Sequence, residues 1–225
     1  MIPMSASLDT RTLATQESLP PPTGPSQDYP LRELSKGEPL YLSGDPAEAV
    51  FRLEEGLLKL SIDVPTGKER IVSLAGPGDY VGALVPSRAL FQESAEALSH
   101  RVTVRIVPRQ DLSNQLLEQV YAAAGEHLVR LQSALEDSGL QVGARLARTL
   151  LRLGDRFGHL SDQGVRLTLP LTHEDLATMI GAARETTTAT LGEMRAQGLI
   201  QGTRGNYRFQ REQLHNFATE SSLNS

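Results

Sequence analysis

Between residues 171 and 209 the chain reads LTHEDLATMIGAARETTTATLGEMRAQGLIQGTRGNYRF, a pattern that few arrangements can satisfy. Thr172 is a favoured helix N-cap, and Asp175 three positions on approximates a capping box. Leu176, Met179 and Ile180 follow at spacings of three and four, which is one apolar helix face. Gly181 interrupts where a left-handed turn residue is wanted. A second helix is predicted over residues 184–197, with Leu191 and Met194 turned inward and Gly198 ending it. Leu199 and Ile200, then Tyr207 and Phe209, flank the turn Gly202-Thr203-Arg204-Gly205. The spacing predicts a helix-turn-helix followed by a wing.

The outward side of the second helix carries chemistry suited to DNA. A major groove admits one helix, and base edges are read by side chains near that helix's N-terminus. Arg184 can fork onto guanine O6 and N7, and Glu185 can accept from cytosine N4. Thr186, Thr187 and Thr188 can reach phosphate or a thymine methyl, Thr172 sits at the neighbouring helix start, and Arg204 in the wing would meet the backbone. An ordinary surface helical hairpin with solvated polar residues is the alternative. The Arg-Glu-Thr start and the wing weigh against it.

Charge supports this division of labour. The formal net charge of −5 is wrong for a nucleic-acid binder until it is divided. Residues 140–211 hold ten Arg and no Lys against six acidic residues, a net +4, which leaves −9 for the remainder. The chain has no cysteine, which excludes disulfides, cysteine-bound zinc and cysteine-held iron–sulfur clusters. No run of eighteen apolar residues exists, so no membrane span or membrane partner is expected. The N-terminus lacks the continuous apolar core of a secretory signal, which points to the cytoplasm.

Upstream, residues 1–28 are rich in Ser, Thr, Pro and Gln and read as a flexible leader. Residues 29–110 alternate short apolar segments with Gly37, Gly44, Gly56, Gly67, Gly76, Gly78 and Gly82, the mark of a β-roll or small jelly roll. Residues 111–137 change to helical periodicity, with Val120, Ala124, Leu128, Leu131 and Leu135 as an apolar stripe suited to a second copy of the chain. Ser138 and Gly139 break it, and residues 139–216 form the unit that ends in the wing. Residues 217–225 read as a frayed tail. The predicted class is therefore α+β: a cupin-like β-roll, a long dimerisation helix, and a C-terminal winged helix-turn-helix.

Three segments carry a resemblance to a known family: GPGDYVG at residues 76–82, GARLARTLL at 143–151, and Arg184-Glu185-Thr186 with Gly198-Leu199-Ile200. With the predicted architecture, they make the chain similar to the cyclic-AMP-receptor/FNR (CRP/FNR) family of bacterial transcription regulators. The resemblance implies a homodimer on a twofold-symmetric stretch of double-stranded DNA. It also implies contact with RNA polymerase, and activation more than repression. Recognition helices would enter major grooves about 34 Å apart.

Two departures from the family pattern bear on mechanism. Cyclic-nucleotide-binding members follow the glycine-rich segment with Gly-Glu and then Arg-Ser or Arg-Thr, which hold ribose and cyclic phosphate. Here Gly82 precedes Ala83, and the matching second segment is Glu93-Ser94. A carboxylate set about 4 Å from a phosphate is repelled by roughly 4 kcal/mol at an effective dielectric near 20. Cyclic AMP binding is not expected, no cofactor or metal is expected, and control would lie in protein abundance. The other departure is Ala189, where members often carry a further Arg, together with Ala183 in place of a capping Ser or Thr. Two alternatives remain open. An unidentified effector could occupy the β-roll. A cupin-like metal enzyme would need several His or carboxylates converging inside the barrel, but of His100, His127, His159, His173 and His215 only His100 falls in the predicted barrel.

Overall fold

The computed structural model describes residues 29–65, 67–83 and 90–223. The expected leader over residues 1–28 lies outside them. The N-terminal unit is built from β1 (Leu31–Ser35), β2 (Pro39–Tyr41), β3 (Ala49–Glu55), β4 (Leu58–Asp63), β5 (Glu69–Ala75), β6 (Tyr80–Val81), β7 (Ser94–Ala97) and β8 (Arg101–Pro108). They form two antiparallel four-stranded sheets, ordered β1-β8-β3-β6 and β2-β7-β4-β5. The period-two pattern explains their faces: Val102 and Val104 of β8 and Leu58 and Leu60 of β4 are buried between the sheets. Tyr41 and Phe91 stack at 3.8 Å inside. This is the expected β-roll.

A 3₁₀ turn at Arg109–Asp111 separates the roll from α1 (Asn114–Asp137). The long helix thus starts three residues later than the sequence predicts, because the Ser113 side chain caps it by accepting from the Leu116 amide. Its apolar residues divide between two faces. Leu116 and Val120 are buried against Val50, Tyr80 and Val107 of the roll. Val120 is therefore a packing residue, and its expected place in a dimer contact is corrected: only 3% of it is exposed within a single chain. Leu117, Tyr121, Ala124, Leu128, Leu131 and Leu135 form the other face at alternating spacings of four and three. Tyr121, Leu128 and Leu135 are 69%, 55% and 73% exposed.

The C-terminal unit contains α2 (Val142–Phe157), β9 (His159–Ser161), β10 (Gly164–Thr168), α3 (His173–Ile180), α4 (Arg184–Ala196), β11 (Gln201–Thr203), β12 (Asn206–Phe209) and α5 (Arg211–Leu223). Its sheet runs β11-β12-β10-β9, so a strand unforeseen in the sequence, β9, joins the expected β10. The frayed tail expected from residue 217 is also corrected. The last helix continues to Leu223, buries Leu214 and Ala218, and sets Phe217 against α2 near Gly143. One apolar cluster crosses from the roll to this unit, joining Ile71 and Leu74 to Leu150, Leu153 and Ile180. Asp137, 5% exposed at the end of α1, binds Arg148 at 2.9 Å and Arg152 at 2.5 Å across the same junction.

Candidate DNA-binding interface

The helix pair is fixed by local chemistry before any partner is considered. The Thr172 hydroxyl accepts from the Asp175 amide at 3.1 Å, and the Asp175 carboxylate accepts from the Thr172 amide at 2.8 Å. This reciprocal capping box occupies two orphan amides of α3. It also commits Thr172 to capping, although the residue is exposed. Gly181 then takes φ 62° and ψ 46°, a left-handed turn open to glycine at little cost. The second helix follows with Ala183 at its N-cap and no side-chain cap bond, as the sequence implied. Leu191 and Met194 seal its inner face.

Of the expected contact residues, Arg184, Glu185, Thr186 and Thr188 lie on the exposed face of α4, and Arg204 is exposed at the wing tip. Thr187 does not join them. It is fully buried, and its hydroxyl donates back to the Ala183 carbonyl at 3.0 Å, so its polar atom is satisfied within α4 and cannot meet a groove. The wing turns through Arg204 (φ 51°) and Gly205 (φ 79°), one residue later than the predicted register centre. Positive φ at both central positions suits the twist of a two-residue hairpin. A Cβ at Gly205 would run into the Leu169 carbonyl, so only glycine fits there.

Two residues that the sequence pattern does not single out belong to this surface. Arg195 donates to the Gly202 carbonyl at 3.0 Å, tying α4 to the wing. His173 opens α3 with its Nδ1 3.0 Å from the Thr188 hydroxyl. Partial burial, and then the charges of Arg195, Arg184 and Arg204, hold its pKa below the ordinary imidazole value. The three arginines lie along one edge with Glu174 and Glu185 in the first turns of α3 and α4. An open cleft of about 840 Å³ separates this edge from the β4–β5 hairpin, and its lining carries both signs of charge, Lys59, Arg70 and Arg184 with Glu69, Glu174 and Glu185.

In the β-roll, Gly82 has φ 75°, and a Cβ there would come within 2.9 Å of the Phe91 ring. Its carbonyl accepts from Arg109. Ala83 packs beside Tyr80 and Val50, and the Ser94 hydroxyl accepts from the Ser43 amide at 3.0 Å. Glu93 is enclosed by groups of its own chain. Its carboxylate lies 3.0 Å from Nε2 of His127, which α1 sends into the roll, and accepts from the Tyr41 hydroxyl at 3.4 Å. Burial first, then the Glu93 charge, pushes the Tyr41 hydroxyl well above its ordinary pKa. The space left between Ile62, Phe91, Glu93, His127 and Leu131 is about 90 Å³. Pockets for drug-sized ligands begin near roughly 300 Å³. Among the described residues, no three His, Asp or Glu side chains converge as a metal would require. No helix there is long and apolar enough to cross a membrane.

Comparison with known proteins agrees with both halves. Residues 31–119 match the cyclic nucleotide-binding domain family, and residues 144–217 match the Crp-like helix-turn-helix domain family. The transcriptional regulator LdrP of Thermus thermophilus is 30% identical over 174 residues, covering 76% of this chain and 87% of that protein. A CRP-like cAMP-activated global transcriptional regulator of Mycobacterium tuberculosis is 28% identical, covering 75% of this chain and 78% of that protein. The structure of FixK2 from Bradyrhizobium japonicum superposes with a TM-score of 0.73 at 24% identity, covering 84% of this chain and 96% of that one.

Proposed function

The chain belongs to the CRP/FNR family of transcription regulators, which are not enzymes, and from that premise we propose a homodimer that reads a twofold DNA site without cyclic AMP. Its base contacts come from Arg184 and Glu185, supported by Thr186 and Thr188, with Arg204 on the backbone. Two copies pair along α1. Tyr121, Leu128 and Leu135 on one line and Leu117, Ala124 and Leu131 on the other make a heptad seam, and burying it would remove apolar surface that one chain leaves open to water. The dimer works in the cytoplasm, contacts RNA polymerase and activates transcription, roles supported by the family resemblance.

One observation carries the nucleotide-free part of this reading: Glu93, paired with His127 and bonded by the Tyr41 hydroxyl, borders a space of only about 90 Å³. The position that family pairing assigns to a phosphate-binding arginine is a carboxylate, and Ala83 offers ribose no hydrogen bond. Operator occupancy then follows how much protein is made. The test is selection of binding sites from random duplexes with and without cyclic AMP. Enrichment of one palindromic motif, unchanged by the nucleotide, is the expected result. A motif that appears only with cyclic AMP would overturn the nucleotide-free reading, and no enrichment at all would overturn the reading as a sequence-specific regulator.

A further inference from the structure

We propose that the crevice where the β-roll, α1, α2 and α3 meet binds a small organic anion with a short apolar tail. Its apolar wall comes from Ile71, Leu153, Phe157 and Met179, around a cavity of about 70 Å³. A space of that size takes a few carbon atoms and excludes a nucleotide. Three guanidinium groups border it, from Arg130 on α1 and from Arg152 and Arg156 on α2.

Two of the three are already satisfied. Arg152 donates to Asp137 at 2.5 Å and to the Thr149 hydroxyl at 3.1 Å. Arg156 donates to the Asp79 carboxylate and the Leu74 carbonyl, and lies over the Phe157 ring. Arg130 differs. Its Nη1 approaches Glu126 at 3.4 Å, a carboxylate that is 69% exposed, while its Nε is buried with no hydrogen-bond partner among the described residues. Burial and the neighbouring Arg156 charge depress its pKa. A buried donor without an acceptor beside an apolar cavity is what an incoming carboxylate with a hydrocarbon tail would complete.

The walls belong to both units: Ile71 and Arg130 on one side, Leu153, Phe157 and Met179 on the other. A ligand here would favour the domain arrangement described above over others, adding to protein abundance a second influence on DNA occupancy that does not use the space beside Glu93. The proposal goes beyond the regulatory reading, and its test needs no DNA.

The full chain is melted with butyrate, with butyramide as the uncharged analogue, and with inorganic phosphate as the bare anion. Butyrate at about 10 mM should raise Tm by about 2–4 °C and saturate, while the other two do not. Arg130→Gln should abolish the butyrate response. Ala134→Leu, which fills the crevice and keeps every arginine, should abolish it as well. No response to butyrate, an equal response to butyramide or phosphate, or a response kept in the Ala134→Leu chain would each overturn the proposal.

Discussion

His173 Nδ1 stands 3.0 Å from the Thr188 hydroxyl, joining the first turn of α3 to the exposed side of α4. The imidazole therefore feels the charges of Arg195, Arg184 and Arg204, on the face proposed to meet DNA. Burial and these charges lower its pKa in the free protein. Bound phosphates would supply the opposite charge and raise it, so DNA binding should take up a proton. Affinity should rise as pH falls from about 7.5 through the ordinary imidazole value near 6.5. His173→Gln should flatten that profile, measured by fluorescence anisotropy at constant ionic strength. The sign for folding is the reverse. Because the folded pKa is the lower one, the contribution of His173 is intact above the unfolded value and is lost as pH falls below it.

Arg184 stands exposed at the first position of α4. Replacement by Ala should cost about 1–3 kcal/mol of discrimination at one base pair in each half-site, and relax preference there. Arg204→Ala should instead weaken binding to all sequences alike and reduce the salt slope by about one. Site selection and titrations at two salt concentrations separate the two patterns. Uniform loss on replacing Arg184 would remove it from base reading.

How much of this is legible in the sequence follows from the range of each interaction. The helix-turn-helix is readable because Thr172, Asp175 and Gly181 act on their own neighbours, within four residues. Arg204 and Gly205 announce a turn for the same reason, though with a register off by one. Thr187 defeats a sequence reading because a threonine suits both a groove and a buried helix start, and only the packing of α4 decides. Val120 belongs to the other face of its helix: a helical stripe says that something covers it but not what, and here the β-roll does. His127 lies 34 positions from Glu93, and no local signal predicts that α1 delivers it into the roll. The last helix is hard to see because Leu214, Phe217 and Ala218 are sparse among polar residues and take their stability from α2.

The exposed seam and the buried stripe of α1 should respond differently to substitution. Leu128→Asp with Leu135→Asp should yield a folded monomer by sedimentation, since both side chains are open to water in one chain. Its affinity for a full palindrome should fall toward that for a half-site. Val120→Ala should instead lower stability by about 1–2 kcal/mol, because it empties space against Val50, Tyr80 and Val107. It should leave the association state unchanged at matched folded concentration. A dimer that survives both aspartates would place the partner contact elsewhere.

Asp137 closes α1 in nearly complete burial, with Arg148 at 2.9 Å and Arg152 at 2.5 Å. Removing one member of a buried ion cluster leaves the others uncompensated, a larger loss than the attraction alone. Both guanidiniums retain partial contact with water, 45% and 39% exposed, which reduces the cost. Asp137→Ala should therefore destabilise the chain by about 2–3 kcal/mol in urea titration. Asp137→Asn, which keeps the shape and one acceptor oxygen, should recover part of that loss. Because the cluster joins α1 to α2, the Ala variant should also open the junction between the two units, seen as faster amide exchange in the first turns of α2 with the β-roll amides unchanged. Equal loosening of both units would show that Asp137 supports global stability alone and does not fix the angle between them.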